Sequence, residues 1–451
     1  MDRMAELRGV RLAPSGRMLL FVAALVAPCA ALAAIPGWSV IAWTGIAAVG
    51  LAVALDAVMG RRALEGIGLL TPDLVRTWKG RPAALALTVG NRSRLAKTIR
   101  IALEFPTGVN GGDEELTAVL PAGSEHSRIE WMFTPEARGR HRITACALET
   151  RSPAGLWSLA RRGSAATEIR VYPNLTAARQ RSAKNLERGH LGMHVLRQVG
   201  KGREFEKLRE YGAGDSFEDV DWKATARRGR PITRVFQVER TQEVYMILDA
   251  SRLPARQLSS ETGDTILERN ITASLLVALE ADRQGDLFGL VTFSDRVSDF
   301  IRARNGKAHY STCREALCGL EPRKVAPDFD EVCTLLRLRL RKRSLLVFLT
   351  ELDDPALAES FLKNVALLRR RHLVVVGMTR PATARPLFAE LDVAGVDEIY
   401  DKLAGHILWN KLRELGKILQ RQGVRFALLD PETAGVELAS LYRGVKQRQL
   451  L

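Results

Sequence analysis

The sequence predicts a multidomain fold in three parts: a helical hairpin set in a membrane, a β-sandwich, and an α/β domain on a mostly parallel sheet. Three observations predict it. No charged residue occurs between Arg17 and Asp56. Short apolar runs of period two, cut by Pro and Gly, fill residues 70–175, which is the pattern of half-buried strands. Beyond residue 241, apolar runs alternate with longer helical stretches, as parallel strands joined by crossover helices do.

The uncharged stretch is too long for one span, because a bilayer core needs about 20 helical residues. Pro36-Gly37 breaks it, so the reading is two helices, over residues 18–35 and 38–55. Arg3, Arg8, Arg11 and Arg17 precede the hairpin, Arg61 and Arg62 follow it, and the turn carries no charge. By the positive-inside rule both ends are cytoplasmic. The expected location is therefore the inner (plasma) membrane, with the main body in the cytoplasm. A competing reading is a signal peptide cut near Ala31-Leu32-Ala33; the second apolar stretch weighs against it.

Within residues 70–175, Ile99, Ile101, Leu103 and Phe105 alternate with Arg100, Ala102 and Glu104. Ile129, Trp131 and Phe133 repeat the pattern. One face of such a strand is buried and the other wet. Pro82, Gly90, Pro106, Pro121, Gly123 and Pro135 punctuate the runs. Short strands with turns at this spacing suggest two packed antiparallel sheets. No catalytic constellation occurs here, and a spacer or docking role is expected. Residues 176–201 are polar and basic and read as a linker. His190 and His194 fall within it, with no carboxylate between them.

Ser216 and Asp219 have capping-box spacing, so a short helix is expected over 217–228, stopped by Gly229. Asp215, Asp219 and Asp221 gather at its start, where carboxylates favour the helix dipole. They could instead hold a cation, or pair with Arg227 and Arg228. Trp222 reads as a core anchor.

Strand-like runs then lie at 244–248, 287–293, 345–349, 373–378 and 425–429. Helical stretches lie at 264–282, 310–320, 329–341, 355–371 and 407–422. Residues 297–302 follow Ser294-Asp295 closely enough to form an antiparallel edge strand. In a parallel sheet the carboxyl ends of the strands converge on one crevice. Here they bring Asp249, Ser251, Ser294, Asp295, Thr350 and Glu351. Hydroxyls and carboxylates suit a hard divalent cation such as Mg²⁺.

Ahead of the first run stand Glu204, Phe205, Leu208, Arg209, Glu210, Tyr211, Gly214, Asp215, Asp221, Trp222, Ala226 and Arg227, followed by Asp249 and Ser251. In order and spacing the series resembles the bacterial "domain of unknown function 58" family, over roughly residues 70–430. Its signature here is Glu204, Tyr211, Gly214, Asp215, Asp221, Trp222 and Arg227. The resemblance implies a von Willebrand factor A-like domain of Rossmann-like build. It also implies association with MoxR-type AAA+ ATPases and a cell-envelope or stress function. Such a domain holds a metal through Asp-x-Ser-x-Ser, a loop threonine and a late aspartate, and a partner's carboxylate can fill the open position. This chain keeps Asp249 and Ser251. It has Leu253 at the second serine, Pro327 or Asp328 at the loop threonine, and Glu351 (after Thr350) at the aspartate. The implied metal set is thus a degenerate one of Asp249, Ser251 and Glu351, with Mg²⁺ as the candidate ion. In the alternative reading Asp249 caps a loop and Ser251 satisfies backbone groups.

The expected division is a hairpin at 1–62, an immunoglobulin-like sandwich at 65–175, and the linker at 176–201. The signature segment follows at 202–240, the A-like domain at 241–430, and a C-terminal tail at 431–451. The net charge of +16 comes with only 6% aromatics, not interleaved with the basic residues. That argues against a stacking platform for nucleic acid and for a lipid bilayer or an acidic protein partner. The arginine runs at 337–343 and 369–371 read as helix C-termini. Five cysteines without a CxxC exclude a zinc ribbon or disulfide framework. No phosphate-cradling glycine motif, HExxH or Gly-x-Ser-x-Gly occurs. A non-enzymatic, membrane-anchored interaction or assembly factor is expected. The alternative is a metal-dependent hydrolase using Asp249, Asp295 and Glu351.

Overall fold

The computed structural model describes residues 2–4, 6–61, 63–91, 96–113, 115–123, 126–176, 180, 204–212, 217, 220–237, 241–258, 264–387 and 396–447. The chain divides into two compact units, Met1–Asn174 and Leu175–Leu451. The expected linker with His190 and His194 lies mostly outside the described residues.

In the first unit the apolar stretch forms α1 (Gly16–Ala33) and α2 (Ser39–Arg61). Both are long and apolar enough to cross a membrane. Ser15 caps α1, accepting the Met18 N–H at 3.2 Å. Helix α2 runs on to Arg61 instead of ending at residue 55. Asp56 lets it do so, because its buried carboxylate is fully satisfied. It accepts the Ser152 hydroxyl at 2.5 Å and the N–H groups of Ala154 at 2.9 Å and Leu156 at 3.3 Å.

Strands β1 (Asp2–Met4) and β2 (Glu6–Pro14) precede the hairpin. The sequence reading had no strand there. After it come β3 (Ile67–Pro72), β4 (Leu74–Trp78), β5 (Ala83–Asn91) and β6 (Lys97–Leu103). Then follow β7 (Val109–Asn110), β8 (Leu116–Leu120), β9 (Ser127–Pro135), β10 (Gly139–Arg151) and β11 (Trp157–Tyr172). One sheet has the order β1-β3-β5-β9-β7; the other has β2-β11-β10-β6-β8, with β4 alongside β11. Both feed one core: Leu85, Leu87, Trp131 and Phe133 come from the first sheet, Ile99, Ile101, Leu148 and Ile169 from the second. Of these, Ile99, Ile101, Trp131 and Phe133 are residues that alternation marked as inward. The segments on either side of the hairpin thus complete the same sheets.

In the second unit β12 (Glu204–Glu210) and β13 (Ile232–Gln237) form an antiparallel ribbon. Between them α3 (Trp222–Arg228) ends at Gly229, whose φ of +67° closes the helix in the left-handed region. The helix starts later than expected. Asp221 caps it, accepting the Ala224 N–H at 3.0 Å; Ser216 and Asp219 lie outside the described residues. Trp222 is not a core anchor, since its side chain is 60% exposed. The physical reason is that α3 buries none of its residues, so it offers no apolar face under which a ring could pack.

The central sheet comprises β14 (Glu243–Asp249), β15 (Leu287–Phe293), β16 (Val297–Arg304), β17 (Ser344–Leu349), β18 (Leu373–Thr379) and β19 (Arg425–Leu429). Their order is β16-β15-β14-β17-β18-β19. All pairs are parallel except β15–β16, the expected antiparallel edge. Along β14, Val244, Met246 and Leu248 enter one core and Tyr245 and Ile247 the other. Helices α4 (Ile266–Arg283), α5 (Lys307–Cys318) and α9 (Ala434–Gln447) cover the first face. Helices α6 (Phe329–Arg339), α7 (Pro355–Leu368) and α8 (Val396–Arg421) cover the second. The expected C-terminal tail is therefore corrected. Leu438, Tyr442 and Val445 of α9 are buried, and Lys446 reaches the buried Asp286 at 2.9 Å.

Candidate functional site

The chain leaves β14 toward β15 on one side and returns to β17 on the other. That reversal parts the connections and opens a crevice at the carboxyl ends of β14 and β17. Asp249, Ser251, Thr350 and Glu351 come together there, and all four are buried. Asp249 is engaged on both oxygens: Oδ1 accepts the Ser251 N–H at 2.8 Å and Oδ2 the Thr350 hydroxyl at 2.6 Å. Burial pushes its pKa up, against those hydrogen bonds. Glu351 Oε1 accepts the Thr379 N–H at 3.1 Å. Its Oε2 has no hydrogen-bond partner, and neither has Ser251 Oγ. Burial pushes the Glu351 carboxyl up to about 7, opposed by the Thr379 hydrogen bond and by Arg256. The Arg256 Nη2 lies 3.8 Å from Oε2, while the guanidinium grips Asp353 at 2.7 and 3.3 Å.

Backbone bonds lock the rim. The Ala250 N–H donates to Phe293 O at 2.7 Å, and the Arg323 N–H to Ala250 O at 2.7 Å. The Arg252 N–H reaches Val325 O at 3.0 Å. Asp295 does not join the group. It is half-exposed, accepts the Ser294 hydroxyl at 2.8 Å and pairs with Arg323 at 3.4 Å. Those contacts, the Ser294 bond first, hold its pKa below the usual range. The hydrolase constellation is thus split, with Asp249 and Glu351 inside and Asp295 outside. Leu253 sits in a short 3₁₀ turn and offers no oxygen. Asp328 caps α6 through the N–H groups of Asp330 and Glu331.

Two orphaned buried oxygens are what a cation would seek, yet Mg²⁺ wants an octahedron of oxygens. Both Asp249 oxygens are already used, burial favours the protonated acids, and a guanidinium stands beside Glu351. The donor set is incomplete for a resident Mg²⁺. Among the described residues, no group of three or more His, Cys, Asp or Glu is placed to hold a metal. Arg256, Asp353 and Thr379 escaped the sequence reading. Thr379 ends β18 and could have been marked by the same strand-end rule; the other two sit in loops that no pattern singles out.

Of the signature residues, Glu204 opens β12, Asp221 caps α3, and Arg227 lies in its last turn. The Tyr211 N–H donates to Pro231 O at 3.0 Å. Gly214 and Asp215 lie outside the described residues. Trp222 meets Phe217 edge-on, with ring centroids 5.3 Å apart, and Phe217 is itself 68% exposed.

The family described as "Protein of unknown function DUF58" matches residues 207–409. Uncharacterized proteins of Mycobacterium tuberculosis and Mycobacterium bovis are 23% identical over 189 residues, which is 41% of this chain and 57% of theirs. The chain thus spans little more than half the length of these curated relatives. Among solved structures, the VWA domain of SpRpn10 is 10% identical at a TM-score of 0.28, covering 44% of this chain and 94% of that one. An aerotolerance-related membrane protein from Bacteroides fragilis is 13% identical at 0.27, covering 44% and 97%. Over residues 207–409 the chain resembles the DUF58 family, as its motif series implied.

Proposed function

We propose that this protein is a non-enzymatic docking factor of the bacterial cell envelope. In this reading α1 and α2 anchor it in the inner membrane and its main body is cytoplasmic. The two sheets of the first unit are a β-sandwich of the immunoglobulin-like kind, with a spacer or docking role. The second unit receives a protein partner, and the family resemblance implies a MoxR-type AAA+ ATPase. The observation that carries the proposal is the exposed Phe217–Trp222 pair within the family-matched residues. Interfaces concentrate their energy in a few aromatic and Arg anchors, and a large aromatic left in water without structural need is a surface waiting for a partner. The crevice supports the same reading, because both Asp249 oxygens are spent on internal hydrogen bonds.

Crosslinking of the full-length chain in native membranes tests it. The wild type is expected to capture an AAA+ ATPase, and Trp222→Ala to lose it with an unchanged melting temperature in detergent. Capture that survives the substitution sinks the reading. The Glu351 Oε2, which has no hydrogen-bond partner, favours one rival, the hydrolase. Phosphoester turnover by the wild-type chain with Mg²⁺ or Mn²⁺, abolished in Glu351→Gln, would put that rival in its place.

A further inference from the structure

We infer that a groove across β2, β11 and β10 is a binding site for the phosphate of an anionic lipid headgroup. The inference goes beyond the docking reading and rests only on its placement of α1 and α2 in a bilayer. The groove holds about 640 Å³, and Arg11, Arg162, Thr144 and Ser164 line it, with Gly9 and Gly163. Two irregularities open it. The β2–β11 register slips between Arg161 and Arg162, and the β10–β11 register slips between Ile143 and Ala145. Gly9 takes a φ of +49°, a left-handed conformation suited to glycine. A bulge bends its strand and re-aims a side chain. Two bulges flanking one strand leave a depression where a regular sheet would be flat.

The chemistry of the lining is one-sided. Arg11, Arg162, Thr144 and Ser164 supply its polar lining, and among the described residues no carboxylate lines it. The planar guanidinium fork matches phosphate oxygens, which a neutral ligand lacks. The same sheet adds exposed Arg140 and Arg142. Nearby, Glu168 is held below the usual carboxylate range, first by its bond from Arg170 and further by Arg140 and Arg142. The placement supplies the source of the phosphate. Strand β2 ends at Pro14 and α1 begins at Gly16. Five residues of extended chain span at most about 17 Å, so Arg11 stands no farther than that from the first helical residue. The headgroup layer adds about 5–7 Å to each side of the hydrocarbon core, and the Debye length at physiological salt is about 8 Å. Basic side chains at this range gain from anionic lipid.

The full-length chain in detergent, titrated calorimetrically with dihexanoyl phosphatidic acid, tests the site. The wild type is expected to bind it, and to bind dihexanoyl phosphatidylcholine more weakly. The double variant Arg11→Gln/Arg162→Gln should lose roughly thirty-fold, about fivefold for each charge removed. Thr144→Glu, at an exposed position, should lose a comparable amount while melting as the wild type does. Arg128→Gln, exposed on β9 of the other sheet, should change nothing. The inference is overturned if both groove variants keep wild-type affinity, or if phosphatidylcholine binds equally well. It is also overturned if inorganic phosphate fills the groove with the same affinity, since the ligand would then be a soluble anion.

Discussion

Glu351 carries one satisfied oxygen and one unsatisfied oxygen in a place water does not reach. Burial lifts its pKa from 4.5 to about 7, so the folded chain keeps a proton that the unfolded chain releases across that interval. The stability this proton lends is complete below about pH 4.5 and is lost as pH rises through about 7. At about 1.4 kcal/mol per unit, the swing is at most about 3.5 kcal/mol. Glu351→Gln cannot ionise. It is expected to melt like the wild type at pH 5 and above it at pH 8, and thermal melts of the detergent-solubilised chain at both values check this. Parallel shifts of the two proteins would show that Glu351 titrates normally. Trp222 teaches a different lesson at the same scale. Its size and apolarity marked it as core, but burial depends on what a helix packs against, and α3 packs nothing under it. Trp222→Ala should therefore cost less than about 1 kcal/mol, where a buried tryptophan would cost about 3–5 kcal/mol. A large fall in melting temperature would restore the core reading.

Strand β15 matches its expected bounds, because a strand buried on both faces is a continuous apolar run; the edge strand β19 matches its own with only Leu429 fully buried. Helix α8 was read from residue 407 but begins at Val396. Its early turns expose Ile399, Tyr400 and Leu403, which blurs the one-sided pattern. Helix α9 was hidden by its place near the end of the chain, although Leu438, Leu441, Tyr442 and Val445 repeat at helical spacing. Strand β2 could not be read, because the Gly9 bulge shifts its alternation midway. The crevice acids were legible for a geometric reason, since strand ends in a parallel sheet converge; Arg256 reaches them from a loop and carried no mark. A test at this scale lies between β14 and β15, where Gly289 pairs with Tyr245. A Cβ at Gly289 would stand 2.3 Å from the Tyr245 ring. The ring cannot step aside freely, because its hydroxyl accepts the Ala303 N–H at 3.1 Å. Gly289→Ala is expected to destabilise by about 1–3 kcal/mol through overpacking. Gly444→Ala in α9, with open space around it, should do no harm. Equal melting temperatures for the two variants would contradict the register.

For the molecule as a whole, the pairing of β2 with β11 adds a constraint to the charge rule. The partners lie before and after the hairpin, so if α1 and α2 cross a bilayer, the chain ahead of them and the chain after them share one side. By the charge rule, the side we propose is the cytoplasm. Reporters fused to Met1 and to Leu451 are both expected to behave as cytoplasmic, and alkaline-phosphatase activity from either would refute the topology. The same pairing bears on how the protein can be shortened. Deleting everything through the hairpin, the obvious route to a soluble fragment, also removes β1 and β2. Residues 157–164 of β11 would then present bare N–H and C=O groups along an open edge, and such an edge templates association with other chains. A fragment starting at Ala63 should therefore aggregate, whereas excising only the two helices and bridging Pro14 to Ala63 with a flexible linker keeps both sheets closed.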